Sequence, residues 1–388
     1  LISYPYRVMR VINISLDPKI LDKSTPAAHR AKAYGEMVDE YTVVVPTPST
    51  MTVKLSDSVT IYGVSGANKA IQLFNIYKKL TALVKAGKGD VISSVDMYYL
   101  GLVSLLVAKR HHLGLEMSVL GIEKLSPLRK AIAKYVLARA SLIRALSHRL
   151  KDRLISEFDI KPEQIVVTSI FVPTDKLGMD IRSLSPAELR DLEEGKRDFS
   201  EQYGSYTNFL SVSRLVSIKH IERQIRALEQ VISQNEKVRL HVVGDGPEEV
   251  ALKHEVKERQ LEDYVIFHGR QTGYRLGLFY TECDCFLLTS DYEGWGMVIV
   301  EAATAGLPAI MTDVGCAREF LVDGESGLVV PVGDVDALAE AMNQVIDDPK
   351  LREKLSYGTK TALSSLESFD EILEQYRQNW ERSLANKL

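Results

Sequence analysis

Short apolar runs separated by helical stretches recur along this chain, and that alternation limits the available folds more than any other feature. "VMRVINIS" (8–15), "YTVVVP", "SVTIYG", "DVISS", "LEMSVL", "SLIRAL" and "QIVVTS" read as strands with helices between them. Such alternation predicts a mostly parallel sheet wrapped by helices. Ser126, followed by Pro127, and Ser147 supply N-caps for two of those helices. Past Thr174 the rhythm lapses. Ser185, Pro186 and Glu188 give the capping box of a charged, solvated helix, and 176–205 reads as a connector. The alternation restarts with "TNFLSVS", "VRLHVVG", "DYVIFHG", "CDCFLLTS", "LPAIMT" and "GLVVP". The prediction is an α/β chain of two Rossmann-like, doubly wound domains, 1–175 and 206–367, facing a cleft. A last helix at about 368–386 is expected to pack back on the first domain. Ligands in open α/β sheets bind at the C-terminal ends of the strands.

Composition narrows the function. No apolar run reaches the ~20 residues needed to span a bilayer; 100–108 is closed by Lys109 and Arg110 and reads as a buried helix. The N-terminal "LISYPYRVMR" lacks the charged-then-apolar layout of a signal peptide. Three cysteines, Cys283, Cys285 and Cys316, are few and odd in number, so they are expected reduced and buried, in a cytoplasmic setting. Residues 1–175 hold 24 Lys/Arg against 15 Asp/Glu, whereas 176–388 hold 24 against 37. A split of this size fits two domains with different surroundings. The stretch 124–153 is the most basic, with Lys124, Arg129, Lys130, Lys134, Arg139, Arg144, Arg149, Lys151 and Arg153 against Asp152 alone. Three readings apply to it: a solvated helix face, an anionic soluble acceptor site, or docking on an anionic membrane, peripheral to its inner face. Nucleic acid is not an expected partner, since the whole chain is acidic and carries no nucleic-acid motif.

The second domain holds the candidate site. In "SDYEGWGMVIVEAATAGLPAIMTDVG", Glu293 and Glu301 stand eight positions apart, the first in a Gly-rich loop and the second in the following helix. Free N–H groups at that helix start form an anion site, with Gly294 and Gly296 letting backbone approach a ligand. Helical side chains lean toward the N-terminus, so the Glu301 carboxylate can reach back to a diol such as ribose. Arg214 follows one strand and Lys219 begins the next helix; two cations there suit a diphosphate. "VVGDGPEE", with Gly244, and "VIFHGR", with His268 and Arg270, place two more junctions on the same sheet edge. Each of these features alone is more often structural than functional.

Taken as a set, the motifs resemble the retaining glycosyltransferases of the GT-B fold, family 4, most strongly over 205–345. Their E-x₇-E motif corresponds to Glu293 and Glu301, and their strand-end arginine and following lysine to Arg214 and Lys219. The resemblance implies a nucleotide-sugar donor, a UDP-, GDP- or ADP-sugar, held by the second domain. Glu301 would bind the ribose and Glu293 the sugar. Arg214 and Lys219 would hold the diphosphate, and the backbone of Gly296, Met297 and Val298 would hold sugar and phosphate. Backbone near Arg270 would meet the base. The resemblance further implies a hexosyltransferase acting with retention on a glycan or lipid-linked acceptor, without metal or other cofactor, in polysaccharide or glycolipid synthesis. Two departures stand out: Leu120 occupies the place of a histidine found in many members, and "SLDPKILDKSTPAAHR" has no glycine where many have a Gly-rich loop. His29 and Asp96 are minor candidates near the cleft, with surface or capping roles as the simpler reading. The Leu120 departure motivates an alternative, a silent sugar-nucleotide-binding subunit; an epimerase on the same architecture is a third reading.

Overall fold

The structure is a computed structural model and describes residues 8–122, 125–171 and 184–388. The chain divides into two compact units, Leu1–Phe171 with Glu367–Leu388, and Val172–Leu366.

The first unit is built on eight strands: β1 (Arg10–Ile14), β2 (Glu40–Pro46), β3 (Met51–Lys54), β4 (Val59–Val64), β5 (Val91–Ser94), β6 (Gly114–Val119), β7 (Leu142–Ala145) and β8 (Ile165–Val167). Their order is β3-β4-β2-β1-β5-β6-β7-β8, and all neighbours are parallel except the β3–β4 pair. Strand alternation sends Ile12 and Ile14 into one apolar layer and Val11 into the other. The first layer is covered by helices 69–85, 99–111 and 127–137, which bury Ile76, Leu100 and Ala133 among others. The second is closed by helix Phe369–Ala385, whose Trp380 is 1% exposed. Strand β3 escaped the sequence reading because it is a short, exposed edge with little apolar patterning.

That C-terminal helix docks over a buried ion pair. Arg144 Nε lies 3.4 Å from Glu116 Oε1, both side chains being nearly solvent-free. Trp380 Nε1 donates to Glu116 Oε2 at 2.9 Å, and the Arg144 guanidinium sits 4.4 Å from the centre of the Tyr376 ring.

The second unit has six strands: β9 (Thr207–Val212), β10 (Val238–Val243), β11 (Val265–Phe267), β12 (Cys285–Leu288), β13 (Ala309–Thr312) and β14 (Gly327–Val330). They run parallel in the order β11-β10-β9-β12-β13-β14. The order reverses between β9 and β12, which makes their C-terminal ends the switch point of a doubly wound sheet. Helix Pro186–Tyr203 starts with the Ser185–Glu188 capping box, but it is not a solvated connector. It buries Leu192 and Phe199, and Phe199 packs against His241 and Phe279 of the second unit. The second compact unit includes this helix, which two apolar side chains tie to the second sheet and its helices. All three cysteines are buried and outside any disulfide.

Candidate functional site

The loops at the C-terminal edge of the second sheet are joined to one another by backbone hydrogen bonds. Leu215 N donates to Asp245 O at 2.7 Å, Gly244 N to Gly269 O at 2.8 Å, and Asp291 N to Ile218 O at 3.0 Å. Cys316 N donates to Trp295 O at 2.7 Å. The loops after β9, β10, β11, β12 and β13 therefore form one connected rim. A rim held this way can position side chains better than independent loops.

Lys219 and Glu293 meet on that rim at the switch point. Lys219 Nζ donates to Glu293 Oε1 at 2.5 Å, with side-chain exposures of 19% and 12%. Ser290 Oγ donates to the same oxygen at 2.7 Å. The two residues come from the β9 and β12 loops, 74 positions apart. Around them lies a second group that sequence reasoning missed. His220, in the left-handed region with φ +50°, lies 2.8 Å through Nε2 from Asp291 Oδ2 and 2.6 Å through Nδ1 from Glu222 Oε1. Arg223 Nη1 donates to Asp291 Oδ1 at 2.5 Å, and these two donors hold the Asp291 carboxyl below the usual range against the effect of burial. Thr289 Oγ1 lies 3.0 Å from the Lys219 and His220 carbonyls. These contacts fix the turn that carries Lys219 against the loop that carries Glu293.

The helix after this loop runs Met297–Thr304, with Gly296 as its N-cap at φ +95°. Its first-turn N–H groups, including those of Met297 and Val298, lack intrahelical acceptors by the geometry of any helix start. Glu301 lies one turn in, and Tyr280 OH donates to its Oε2 at 2.8 Å. Burial raises the Glu301 pKa, with the Tyr280 hydrogen bond opposing. Nothing in the sequence signals Tyr280; helix packing brings it across 21 positions. Gly315 was also missed. At φ +55°, a Cβ there would lie 2.4 Å from Trp295 O and 2.8 Å from Glu293 Cβ, so only glycine lets the next loop support the Glu293–Trp295 turn. Gly294 shares that turn, between the Glu293 carboxylate and Trp295.

Other predicted residues are placed differently. Arg214 is exposed on the β9 loop, apart from the Lys219–Glu293 pair in its hydrogen bonding. Gly244 takes φ +145°, and a Cβ there would stand 1.8 Å from Ser213 O. Close packing of two rim loops accounts for that glycine. Arg270 is exposed just past β11. His268 stacks on His241, with Nε2 3.0 Å from His241 Nδ1. His241 Nε2 lies 3.0 Å from Asn208 Oδ1, while the Asn208 amide nitrogen donates to two carbonyls. Burial lowers the pKa of His241 to about 3 and of His268 to about 4, so this pair is neutral packing beneath the rim.

Residues 193–362 match the family model described as glycosyl transferases group 1. The matched residues lie within the second unit. N-acetyl-alpha-D-glucosaminyl L-malate synthase of Bacillus anthracis is 26% identical over 68% of this chain and 64% of its own length. Alpha-monoglucosyldiacylglycerol synthase of Streptococcus pneumoniae is 25% identical over 80% of this chain and 72% of its own. The chain thus spans about two thirds of the length of these relatives. Among solved structures, a glycosyltransferase from Rickettsia africae ESF-5 superposes with TM-score 0.76 at 16% identity, covering 98% of this chain and all of its own. Anabaena HepE in complex with UDP gives TM-score 0.74 at 19% identity, over 96% and 100%. These neighbours show the fold, two Rossmann-like units of GT-B type, and together the matches support a group 1 glycosyltransferase.

The first unit holds the remaining candidates of the sequence reading. Leu120 follows β6 and is 44% exposed, while His112 caps the helix that precedes that strand. Asp96 accepts from the backbone N–H of Tyr98 and Leu100, both at 2.9 Å, which is a capping role. His29 lies exposed in helix 26–36. The basic stretch 124–153 is not one surface. Arg144 is in the core with Glu116, because its strand position faces the C-terminal helix. Arg153 is paired with Glu157 at 2.6 Å. Lys124 lies outside the described residues. No helix of the described chain is long and apolar enough to cross a membrane.

Proposed function

We propose that this protein is a retaining, metal-independent hexosyltransferase that takes a sugar from a UDP-, GDP- or ADP-sugar and passes it to a glycan or lipid-linked acceptor in polysaccharide or glycolipid synthesis. The observation that carries the reading is the Lys219–Glu293 pair at the switch point of the second sheet, in a segment matching the glycosyl transferases group 1 model. In support, HepE is a structural neighbour solved with UDP and with UDP-glucose.

In this reading the anomeric carbon loses its bond to the diphosphate oxygen and gains one to the acceptor hydroxyl oxygen on the same face. The hydroxyl proton passes to the leaving diphosphate. Lys219 has three N–H donors, one engaged by Glu293, which leaves two for the diphosphate oxygens. Arg214 adds a guanidinium, and the N–H groups of Gly296, Met297 and Val298 add dipoles aimed at the same charge. Preorganised donors of this kind lower the barrier without reorganising during the reaction. Glu293 holds sugar hydroxyls and Glu301 the ribose diol, while Gly294, Gly244 and the backbone at Arg270 shape the rim around the nucleotide.

Thermal-shift screening with UDP-, GDP- and ADP-sugars tests the donor assignment, since a ligand bound to the native state raises the midpoint by mass action. Stabilisation by one nucleotide class, lost in Glu301→Ala, is the expected result. No stabilisation by any of the three sinks the reading. The exposed Leu120 favours a second reading, a silent donor-binding subunit: the same nucleotide would stabilise the chain, yet neither transfer nor slow donor hydrolysis would appear across a broad acceptor panel. An epimerase would instead convert the donor alone.

A further inference from the structure

The two histidines beneath the rim of the second unit do more than pack, because their neighbours settle where each proton sits. Asn208 sets the first step. Its amide nitrogen donates to Tyr203 O at 3.1 Å and to Tyr206 O at 3.0 Å. The atom turned to His241 is therefore Oδ1, which can only accept. His241 Nε2, 3.0 Å from that oxygen, must carry a proton. Burial keeps His241 neutral, so its Nδ1 is bare. His268 Nε2 stands 3.0 Å from that bare nitrogen and is the donor of the pair. His268 is neutral too, since burial lowers its pKa to about 4, and its own Nδ1 keeps a lone pair. That nitrogen has no hydrogen-bond partner among the described residues. The relay from Asn208 through His241 thus ends in an acceptor fixed by packing.

We propose that His268 Nδ1 accepts a hydrogen bond from a base N–H of the donor nucleotide, which makes His268 a specificity-determining residue of the second unit. The inference rests on the transferase reading and adds to it a side chain that meets the base.

The place of His268 in the fold supports this. It is half-buried and directly follows β11, with Nε2 turned to the fully buried His241. The two nitrogens of an imidazole diverge, so Nδ1 lies on the side away from that buried partner. Phe279 and His241 hold the ring, with centroids 4.4 and 5.2 Å away. The rim next to it is open: a Cβ at Gly269 or Gly273 would meet nothing within 4 Å. At Gly315, on the other side of the switch point, Trp295 O already fills that space. The segment 268–272 contains no carboxylate.

Reach fits as well. β11 is two strands from β9, about 10 Å along the rim at ordinary strand spacing. A nucleotide held by its diphosphate at Lys219, on the β9 loop, extends its base over such a span. A bare imidazole nitrogen needs a donor opposite it. The ring N–H of uracil or guanine and the amino group of adenine each provide one.

Nitrogen NMR of the full chain, with isotopically labelled histidine, reads the premise without any nucleotide. The His268 signals, identified by their loss in His268→Gln, are expected in the neutral form protonated at Nε2. Protonation at Nδ1, or a charged ring near neutral pH, overturns the proposal. Calorimetric titration then compares UDP, GDP and ADP. The tightest of them is set against its base-methylated counterpart: the diphosphate of 3-methyluridine, 1-methylguanosine or N6,N6-dimethyladenosine. Methylation removes the donor and should weaken binding to the parent protein roughly three- to tenfold. His268→Phe keeps a ring without the acceptor. It should weaken the unmodified nucleotide by a similar factor and be blind to methylation, because losses at the two ends of one contact do not add. His268→Asn sets an amide oxygen near the place of Nδ1 and should restore part of the methylation effect. His268→Gln, whose amide reaches the place of Nε2, should not.

Parent affinity that ignores methylation overturns the proposal, as do losses that add in His268→Phe. Equal nucleotide affinity in the parent and His268→Phe overturns it while the transferase reading stands. Binding of none of the three nucleotides sinks both. Thermal unfolding without ligand reports whether each variant is folded. If His268→Phe fails to fold, the parent's methylation effect and the His268→Asn and His268→Gln pair decide the matter.

Discussion

Lys219 Nζ and Glu293 Oε1 stand 2.5 Å apart although the two residues belong to different loops of the second sheet. The pair neutralises each partner in the free protein and leaves ammonium donors for an incoming diphosphate. Lys219→Ala should lower the rate of sugar transfer by about 10²–10³. Glu293→Gln should lower transfer while nucleotide without sugar still binds. Single-turnover kinetics beside nucleotide titration checks both; a Glu293→Gln enzyme with the parent rate would remove that carboxylate from the site.

Glu301 depends on Tyr280 for its orientation. Tyr280→Phe should weaken nucleotide binding about tenfold or more, as expected for a lost hydrogen bond to a charged group, with little change in fold because the ring stays. The raised pKa of Glu301 adds a pH dependence. On acidification it protonates before an ordinary glutamate and loses acceptor capacity, so donor affinity should fall toward acid, a dependence that Glu301→Gln, with no group to titrate there, should lack. Calorimetric titration across pH reads both effects.

Gly315 supports the acidic turn from below. Gly315→Ala puts a Cβ against Trp295 O in a backbone region that alanine avoids, and should cost about 1–3 kcal/mol. Donor affinity should drop with it, because the displaced turn carries Glu293. Denaturant unfolding and nucleotide titration on the same sample check the coupling.

The stacked His241–His268 pair makes the second unit acid-sensitive. His241 is fully buried and His268 half-buried, and burial keeps both neutral, with folded-state pKa values of about 3 and about 4 against an ordinary 6.5. Between pH 6.5 and about 4 the unfolded chain takes up protons that the native state refuses, so stability falls as pH falls through that window. Above pH 6.5 both states are neutral and the pair contributes no pH dependence. His241→Gln should flatten the profile measured by thermal unfolding.

The Arg144–Glu116 pair holds the C-terminal helix. Glu116→Gln keeps an acceptor for Trp380 but leaves a guanidinium buried and uncompensated, which should destabilise the first unit by about 3–5 kcal/mol. Unfolding followed by tryptophan fluorescence, with Trp380 as the local probe, measures it.

Much of the architecture was legible because strand and helix patterning is local. The apolar runs at β1, β2, β4 and the later strands, and the caps at Ser126, Ser147 and Ser185, depend on residues a few positions apart. The parallel sheets followed from alternation, and the candidate rim followed from where strands end. Strand β3 was not legible, since an exposed edge needs no apolar pattern.

What the sequence alone determined is the doubly wound α/β character, the helix starts and the set of charged residues at the strand ends of the second sheet. Tertiary structure decided which of those charges meet. It joined Lys219 to Glu293, gave Glu301 to Tyr280, stacked His268 on His241, and took Arg144 out of the basic surface into the core. The physical reason is range: backbone propensity and side-chain periodicity are written over neighbouring residues, whereas pairing and desolvation depend on groups brought together from across the chain by packing.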